Sequence, residues 1–288
     1  METNGGILLI EIRLSIGYDE YEEGARMSDL IEKLASSPDG AKLSILTIGD
    51  WGQAYENSPD SFVETLIKHK DSFPNLKKIF IGDMGFEECE VSWINQTNLA
   101  PLLEAFPELQ SLTIKGSQDL SLQPLVHGKL EELVIICGGL PKSVIEEITS
   151  ARLPKLKKLE LYLGVDNYGF DGGVEDILPL LNGDLFPNLK YLGLKDSEIQ
   201  DEIAIAAADA PILDQLDTLD LSYGTLSDEG GQALLASERI KKLKHLNLSY
   251  HYMSDELLLR WKQSGLSVDV TDQQEADEED WRYPFLTE

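Results

Sequence analysis

Eight segments of this 288-residue chain share one pattern, aliphatic-x-x-aliphatic-x-aliphatic, and it restricts the fold more than any other sequence feature. They are Leu43/Leu46/Ile48, Leu76/Ile79/Ile81, Leu109/Leu112/Ile114, Leu130/Leu133/Ile135, Leu156/Leu159/Leu161, Leu189/Leu192/Leu194, Leu216/Leu219/Leu221 and Leu243/Leu246/Leu248. A weaker copy sits at Leu266, Val268 and Val270. Successive first leucines lie 33, 33, 21, 26, 33, 27 and 27 residues apart. Side chains of an extended strand alternate between faces, so the fourth and sixth positions of the pattern point the same way. One copy cannot bury that apolar face alone, whereas stacked copies share a core. Helical returns between copies make the strands parallel and place the helices outside. The expected fold class is α/β, a solenoid of about nine parallel strands.

The chain between the strands has the 3.6-residue period of helices. Met27, Leu30, Ile31 and Leu34 mark one, Phe62, Val63, Leu66 and Ile67 a second, and Leu99, Leu102, Leu103 and Phe106 a third. Further helices are expected at Val144 to Ile148, at Val174 to Leu181 (disturbed by Pro179), at alanine-rich Ile203 to Ala210, at Leu234-Leu235 and at Leu257 to Trp261. Ser117 to Gly128 is too short for a long helix and is expected to hold a single turn. Pro74, Pro107, Pro154 and Pro187 stand two residues before a repeat's first leucine, where they end a helix and start the approach to a strand. Residues 7–16 alternate as a strand, and residues 1–40 are expected to form a divergent capping repeat. Repeats fill 41–270, and 271–288 form an acidic tail with an aromatic end.

Leu219-Asp-Leu221-Ser-Tyr-Gly-Thr-Leu226-Ser-Asp-Glu-Gly230 and Leu246-Asn-Leu248-Ser-Tyr-His-Tyr-Met253-Ser-Asp-Glu256 resemble the ribonuclease-inhibitor type of leucine-rich repeat. Together with Ile48-Gly-Asp-Trp-Gly52, they make the chain similar to an uncharacterised bacterial leucine-rich-repeat family, over about residues 43 to 270. The resemblance implies a right-handed horseshoe with the sheet on the concave face, helices on the convex face, and a partner bound on the concave side. The chain departs from the animal inhibitor in having two cysteines and irregular repeat lengths, so the scaffold carries over and the ribonuclease target does not.

The net charge of −28 opposes nucleic acid and anionic membranes and favours a basic protein partner. Solubility and helix chemistry explain the same charge: Asp201-Glu202, Asp228-Glu229 and Asp255-Glu256 fall in first helical turns, with Ser227 and Ser254 placed as N-caps. Cys89 and Cys137 lie in different repeats with no disulfide framework. With no secretory signal and no apolar run of membrane-spanning length, the expectation is a cytoplasmic protein.

Outward strand positions mix lysines and acids: Lys78, Phe80, Glu132, Lys158, Glu160, Tyr162, Tyr191, Lys195, Asp220, His245 and Asn247 are among them. The following loops add Asp50, Trp51, Asp83, Asp196, Tyr223, Tyr250, His251 and Tyr252. Aromatic residues are favoured at binding hot spots, so Tyr223, Tyr250 and Tyr252 form the leading patch. Tyrosines stacking between repeats to fill space is the alternative. Gly49-Asp-Trp-Gly52 recurs as Gly82-Asp-Met-Gly85; tight turns explain the glycines, with Trp51 expected to be exposed. The glycine-rich loop 164–173 contains Asp166, Asn167 and Asp171 but lacks a calcium-loop spacing, and an adaptable binding loop fits it better.

No H-x-x-x-H or C-x-x-C pair, phosphate loop or nucleophile elbow occurs, and His245 and His251 fit solvated surface. The expectation is a non-catalytic protein-binding scaffold with no metal and no cofactor. Its candidate contact residues are Asp50, Trp51, Phe80, Asp83, Tyr162, Tyr191, Lys195, Tyr223, Tyr250, His251 and Tyr252. The alternative is a structural subunit of a larger assembly, gripping it through Trp281 to Leu286. The acidic run 269–280 is expected to be solvated and flexible, and the aromatics after it either fold back over the last repeat or serve as a linear motif.

Overall fold

A computed structural model describes residues 3–4, 7–8 and 10–287. These fall into two compact units, one within residues 1–136 together with Ala151–Pro154, the other within Cys137–Ser150 and residues 155–288.

In the first unit, β1 (Thr3–Asn4) and β2 (Ile7–Leu8) form a short antiparallel pair. The strand expected over residues 7–16 is therefore divided: β3 spans Ile10–Ile16, and Leu9 lies outside the described residues. Then follow β4 (Leu43–Trp51), β5 (Lys78–Ile81), β6 (Ser111–Lys115) and β7 (Glu132–Ile136), parallel and in the order β3-β4-β5-β6-β7. The repeat sets their register. Leu46, Ile79, Leu112 and Leu133 are cross-strand partners, as are Ile48, Ile81, Ile114 and Ile135. All eight are at most 1% exposed. Each such side chain contributes about 1.5–3 kcal/mol by leaving water.

Helix α1 (Tyr18–Glu22) buries none of its residues, whereas α2 (Met27–Ala35), α3 (Asp60–Lys68) and α4 (Ala100–Ala105) turn their apolar stripes inward, through Ile31, Leu66 and Leu102 among others. Ser117 to Gly128 forms no helix and holds a hydrogen-bonded turn, in which the Leu120 N–H donates to the Ser117 carbonyl at 3.2 Å. It otherwise stays extended, bridges Asn95 from Gln118 and Asn98 from Ser121, and fills the core with Leu120, Leu122 and Leu125.

The second unit repeats the design. Its elements are α5 (Lys142–Thr149), β8 (Lys158–Gly164), α6 (Val174–Leu181), β9 (Tyr191–Ser197), α7 (Gln200–Ala208), β10 (Thr218–Asp220), α8 (Asp228–Ala236), β11 (His245–Asn247), α9 (Asp255–Gln263) and β12 (Val268–Asp269). Strands β8 to β12 are parallel and in sequential order. Helix α6 accommodates Pro179 by ending two residues later. Small residues bring α7 close to α8: a Cβ on Gly230 would lie 2.9 Å from the Ala204 Cβ and 2.7 Å from an Asp201 oxygen. Ser227 and Ser254 are N-caps, their hydroxyls accepting from the N–H groups of Glu229 and Leu257. Asp201 does more than favour the start of its own helix. Its carboxylate accepts from the Ser227 N–H (2.8 Å), the Ser227 hydroxyl (2.6 Å) and the Gly230 N–H (3.1 Å), which caps the next helix as well.

Candidate functional site

Four of the eleven candidate residues belong to the first unit: Asp50, Trp51, Phe80 and Asp83. Trp51, expected to be exposed, is only 4% exposed. Its indole packs on Phe62 (centroids 5.4 Å apart) and donates to the Asn57 carbonyl (2.9 Å), so it is a core residue rather than a presented one. Asp50 is also buried and accepts from the Gly52 N–H at 2.9 Å, an Asx-type turn; burial raises its pKa, helped by the charge of Glu88. Asp83 is engaged by Arg13, whose Nε donates to the carboxylate at 2.8 Å. Phe80 is half-buried on the outward face of the sheet, between Thr47 and Thr113.

The remaining seven, Tyr162, Tyr191, Lys195, Tyr223, Tyr250, His251 and Tyr252, lie in the second unit; four of them meet in one ionic cluster, which Tyr250 and Tyr252 extend through the ring of Tyr223. Register places Glu160, Gly193, Asp220, Asn247 and Asp269 on one rung across β8 to β12, with Tyr162 and Lys195 paired just beyond. Gly193 leaves room for its neighbours: a Cβ there would crowd Glu160 Cγ at 3.1 Å and Tyr191 Cε1 at 3.2 Å, and would touch Lys195 Cδ at 3.4 Å. Lys195 Nζ sits 3.0 Å from Glu160 Oε1, 3.7 Å from Asp220 Oδ2 and 3.2 Å from the Tyr162 hydroxyl. It also lies 4.7 Å from the ring centroids of both Tyr162 and Tyr223. Lys195, Glu160 and Asp220 are each less than 9% exposed, although their strand positions face away from the helices. Burial by itself would lower the Lys195 pKa, but the charges of Asp220 and Glu160 outweigh it and raise the pKa. Lys158 pairs with the second Glu160 oxygen (2.8 Å), and Tyr191 and Asn247 donate to Asp220 (2.6 and 3.1 Å). Burial, then the Asp220 charge, raises the Tyr191 pKa, so its hydroxyl remains a donor.

His251 does not join this cluster, and it is not exposed. It is fully buried, with Nε2 3.1 Å from the Val270 carbonyl and Nδ1 accepting from the Met253 N–H. Burial lowers its pKa. The neutral ring pins the turn after β11 to the next repeat, which is a structural role.

Two residues after the last aliphatic position of a repeat, the backbone turns through the left-handed region: Asp196 (φ 57°), Tyr223 (69°), Tyr250 (57°) and Asp272 (59°). Asp tolerates this conformation, whereas for other non-glycine residues it costs roughly 1–2 kcal/mol. Tyr223 and Tyr250 are therefore held in strained turns, and their rings project together: their centroids are 6.4 Å apart, and Tyr252 stands edge-on to Tyr250 at 6.3 Å.

The chain's own C-terminal segment lies on these rings. Phe285 stacks on Tyr223 (4.9 Å, interplanar 28°) and meets Tyr250 edge-on (5.5 Å). Its N–H donates to the Tyr223 carbonyl at 2.8 Å. The Tyr252 hydroxyl donates to the Tyr283 carbonyl (2.8 Å) and accepts from the Tyr283 N–H (3.0 Å), and the Tyr250 hydroxyl also donates to that carbonyl (3.3 Å). The Leu286 N–H donates to Asp196 Oδ1 at 2.7 Å. Arg282 reaches the Asp201 carboxylate (3.0 Å) and the Thr225 carbonyl (2.8 Å). Burial pushes the Asp196 carboxyl up to about 8, against the pull of the Leu286 N–H and the charge of Lys195. The aromatic end thus folds back, but over the turns after β9, β10 and β11 rather than over the last repeat alone. The acidic run before it is exposed and turns on Asp277, which accepts from the N–H groups of Glu279 and Trp281. A cleft of about 830 Å³ runs between this segment and loop residues Val165 to Tyr168. Asp171, considered for calcium, instead accepts from the Lys142 N–H at the start of α5 (2.7 Å).

Asp196, Glu160 and Asp220 belong to the site but were legible only as outward or loop positions. Arg282, Phe285 and Leu286 carried no periodic signal that could assign them to it.

The leucine-rich-repeat family model matches residues 216–235, the segment containing β10 and most of α8. No curated protein matches the chain. Among solved structures, a protein from Bacteroides fragilis is 41% identical, over 92% of this chain and 75% of that one, with a TM-score of 0.86. An internalin from Listeria monocytogenes is 13% identical over 81% of each chain, with a TM-score of 0.30. On its repeats, its parallel sheets and that identity to the Bacteroides fragilis protein, the chain belongs to a family of bacterial leucine-rich-repeat proteins.

Proposed function

We propose that the chain is a non-catalytic protein-interaction scaffold that binds a basic protein partner through the aromatic turns and ionic cluster of its second unit. One observation carries this reading: a polypeptide segment, residues 282–286, already sits on Tyr223, Tyr250 and Tyr252 through ring stacking and backbone hydrogen bonds. A surface that satisfies the N–H and carbonyl groups of an extended segment is suited to protein ligands. Rigid strands beneath the turns lower the ordering cost of binding. The charge of −28 supports a basic partner, and two cysteine thiols support a reducing, cytoplasmic setting. Attachment to a larger assembly through the tail is less well supported, because Arg282 to Leu286 are engaged within their own unit.

The test is parallel affinity capture with the wild-type chain and with Tyr223→Ala/Tyr250→Ala. A basic protein retained by the first and lost from the second is expected. An identical set of captured proteins would remove the aromatic turns from the reading.

A further inference from the structure

Resting on the scaffold reading, we propose that the seat of residues 282–286 is a receptor for an extended basic segment of a partner protein. That segment carries an arginine and, three residues later, a phenylalanine followed by an aliphatic residue. The chain's own tail is its resident occupant, and the partner segment displaces it.

The chemistry of the seat specifies the ligand position by position. Asp201, itself buried, offers a carboxylate and Thr225 a carbonyl to a guanidinium, as they do to Arg282. The hydroxyls of Tyr250 and Tyr252 bracket one backbone carbonyl, and Tyr252 also accepts the N–H of the same residue. This pair of contacts reads the main chain and is indifferent to the side chain. The angle between Tyr223 and Tyr250 holds a flat ring, now Phe285. Asp196 then takes the next N–H.

The tail is a weak occupant of this site for two reasons. Its apolar side chains are incompletely covered: Trp281 remains 61%, Tyr283 54% and Phe285 59% exposed. It also brings Asp277, Glu278, Glu279 and Asp280 to a protein that is already strongly negative. Those charges oppose docking, whereas lysines or arginines in their place are attracted. A basic segment therefore gains at the flank what the tail loses there, while making the same contacts at the core.

The experiment uses the full-length chain, its Phe285→Ala variant and the double variant Tyr223→Ala/Phe285→Ala. The probe is a fluorescent peptide, Lys-Lys-Lys-Lys-Trp-Arg-Tyr-Pro-Phe-Leu, compared with the acidic sequence of residues 277–286. A seat that is mostly occupied lowers apparent affinity by the fraction of time it is open. The basic peptide is therefore expected to bind Phe285→Ala about tenfold more tightly than wild type, in proportion to that open fraction. It should lose affinity between about 50 and 500 mM salt as screening shortens the reach of charge. It should outcompete the acidic peptide and fail on the double variant. Circular dichroism confirms that each variant is folded, and Phe285 is exposed enough for its loss to be tolerated.

Absence of binding to folded Phe285→Ala overturns the proposal. So does equal affinity for wild type and Phe285→Ala, which would place the peptide elsewhere, or equal affinity of the two peptides. A wild-type dimer that Phe285→Ala dissolves also overturns it, since the occupant would then be a second copy's tail. If the peptide fails while capture still depends on Tyr223 and Tyr250, the scaffold reading survives and this inference falls.

Discussion

Lys195 shows how one side chain can determine whether a site is an asset or a fault. It neutralises Glu160 and Asp220, both buried, beside Gly193, whose missing side chain leaves Glu160 and Tyr191 uncrowded. Removing one partner of a buried ion pair leaves an uncompensated charge and costs about 3–5 kcal/mol. Lys158 still serves Glu160, so Lys195→Met is expected at the lower end, about 3 kcal/mol in urea unfolding. Lys195→Met/Glu160→Gln should recover part of that loss. If the single variant proves neutral, the cluster does not hold the sheet face together. Strand alternation put Lys195, Glu160 and Asp220 on the outward face, and this much was legible in the sequence. Their burial was not, because it depends on aromatic rings delivered from neighbouring repeats. Trp51 and His251 are the converse: loop positions suggested exposure, but β4 runs on to include Trp51, the turn after β11 folds His251 inward, and both rings are buried.

At the scale of the element, the strands and most helices followed from period alone, because burying one face is a local demand repeated many times. The segment 281–287 has no period and could not be placed. Its docking is expected to depend on pH through Asp196. In the docked state burial holds this carboxyl at about 8, against an ordinary value near 3.8, so the docked state binds the proton more tightly. Docking is then fully favoured at acid pH and weakens as pH rises through about 8. Trp281 fluorescence, or protection of the Phe285 amide from exchange, should report progressive release between pH 5 and 9 as the carboxyl ionises, about the range over which burial shifts it. Asp196→Asn keeps the left-handed turn and should flatten the profile. An unchanged profile in that variant would assign the release to another group.

For the whole molecule the deciding quantity is charge. Exposed ion pairs such as Lys68–Glu32 and Lys244–Asp217 stabilise little, whereas a net charge of −28 opposes the folded state at every contact with water. Screening should therefore win: the thermal midpoint is expected to rise by a few degrees between about 20 and 200 mM sodium chloride, as the Debye length shortens. A falling midpoint would mean that ion pairs outweigh the net repulsion. The total charge was legible in the composition. The structural use of Asp201, Asp220, Glu160 and Asp196 was not, since each depends on partners in other repeats. The path of the tail has a further, metric consequence. From Tyr283 to Leu286 it passes from the turn after β11 to the turn after β9, three residues against two strand spacings. Neighbouring strands are about 4.8 Å apart and extended residues advance about 3.3 Å, so two strand spacings cover about 9.6 Å and three residues about 9.9 Å. The two rulers nearly coincide. A row of such turns is thus commensurate with any extended chain whose informative residues recur every third position, and lengthening the row by two repeats would lengthen the readable word by three letters.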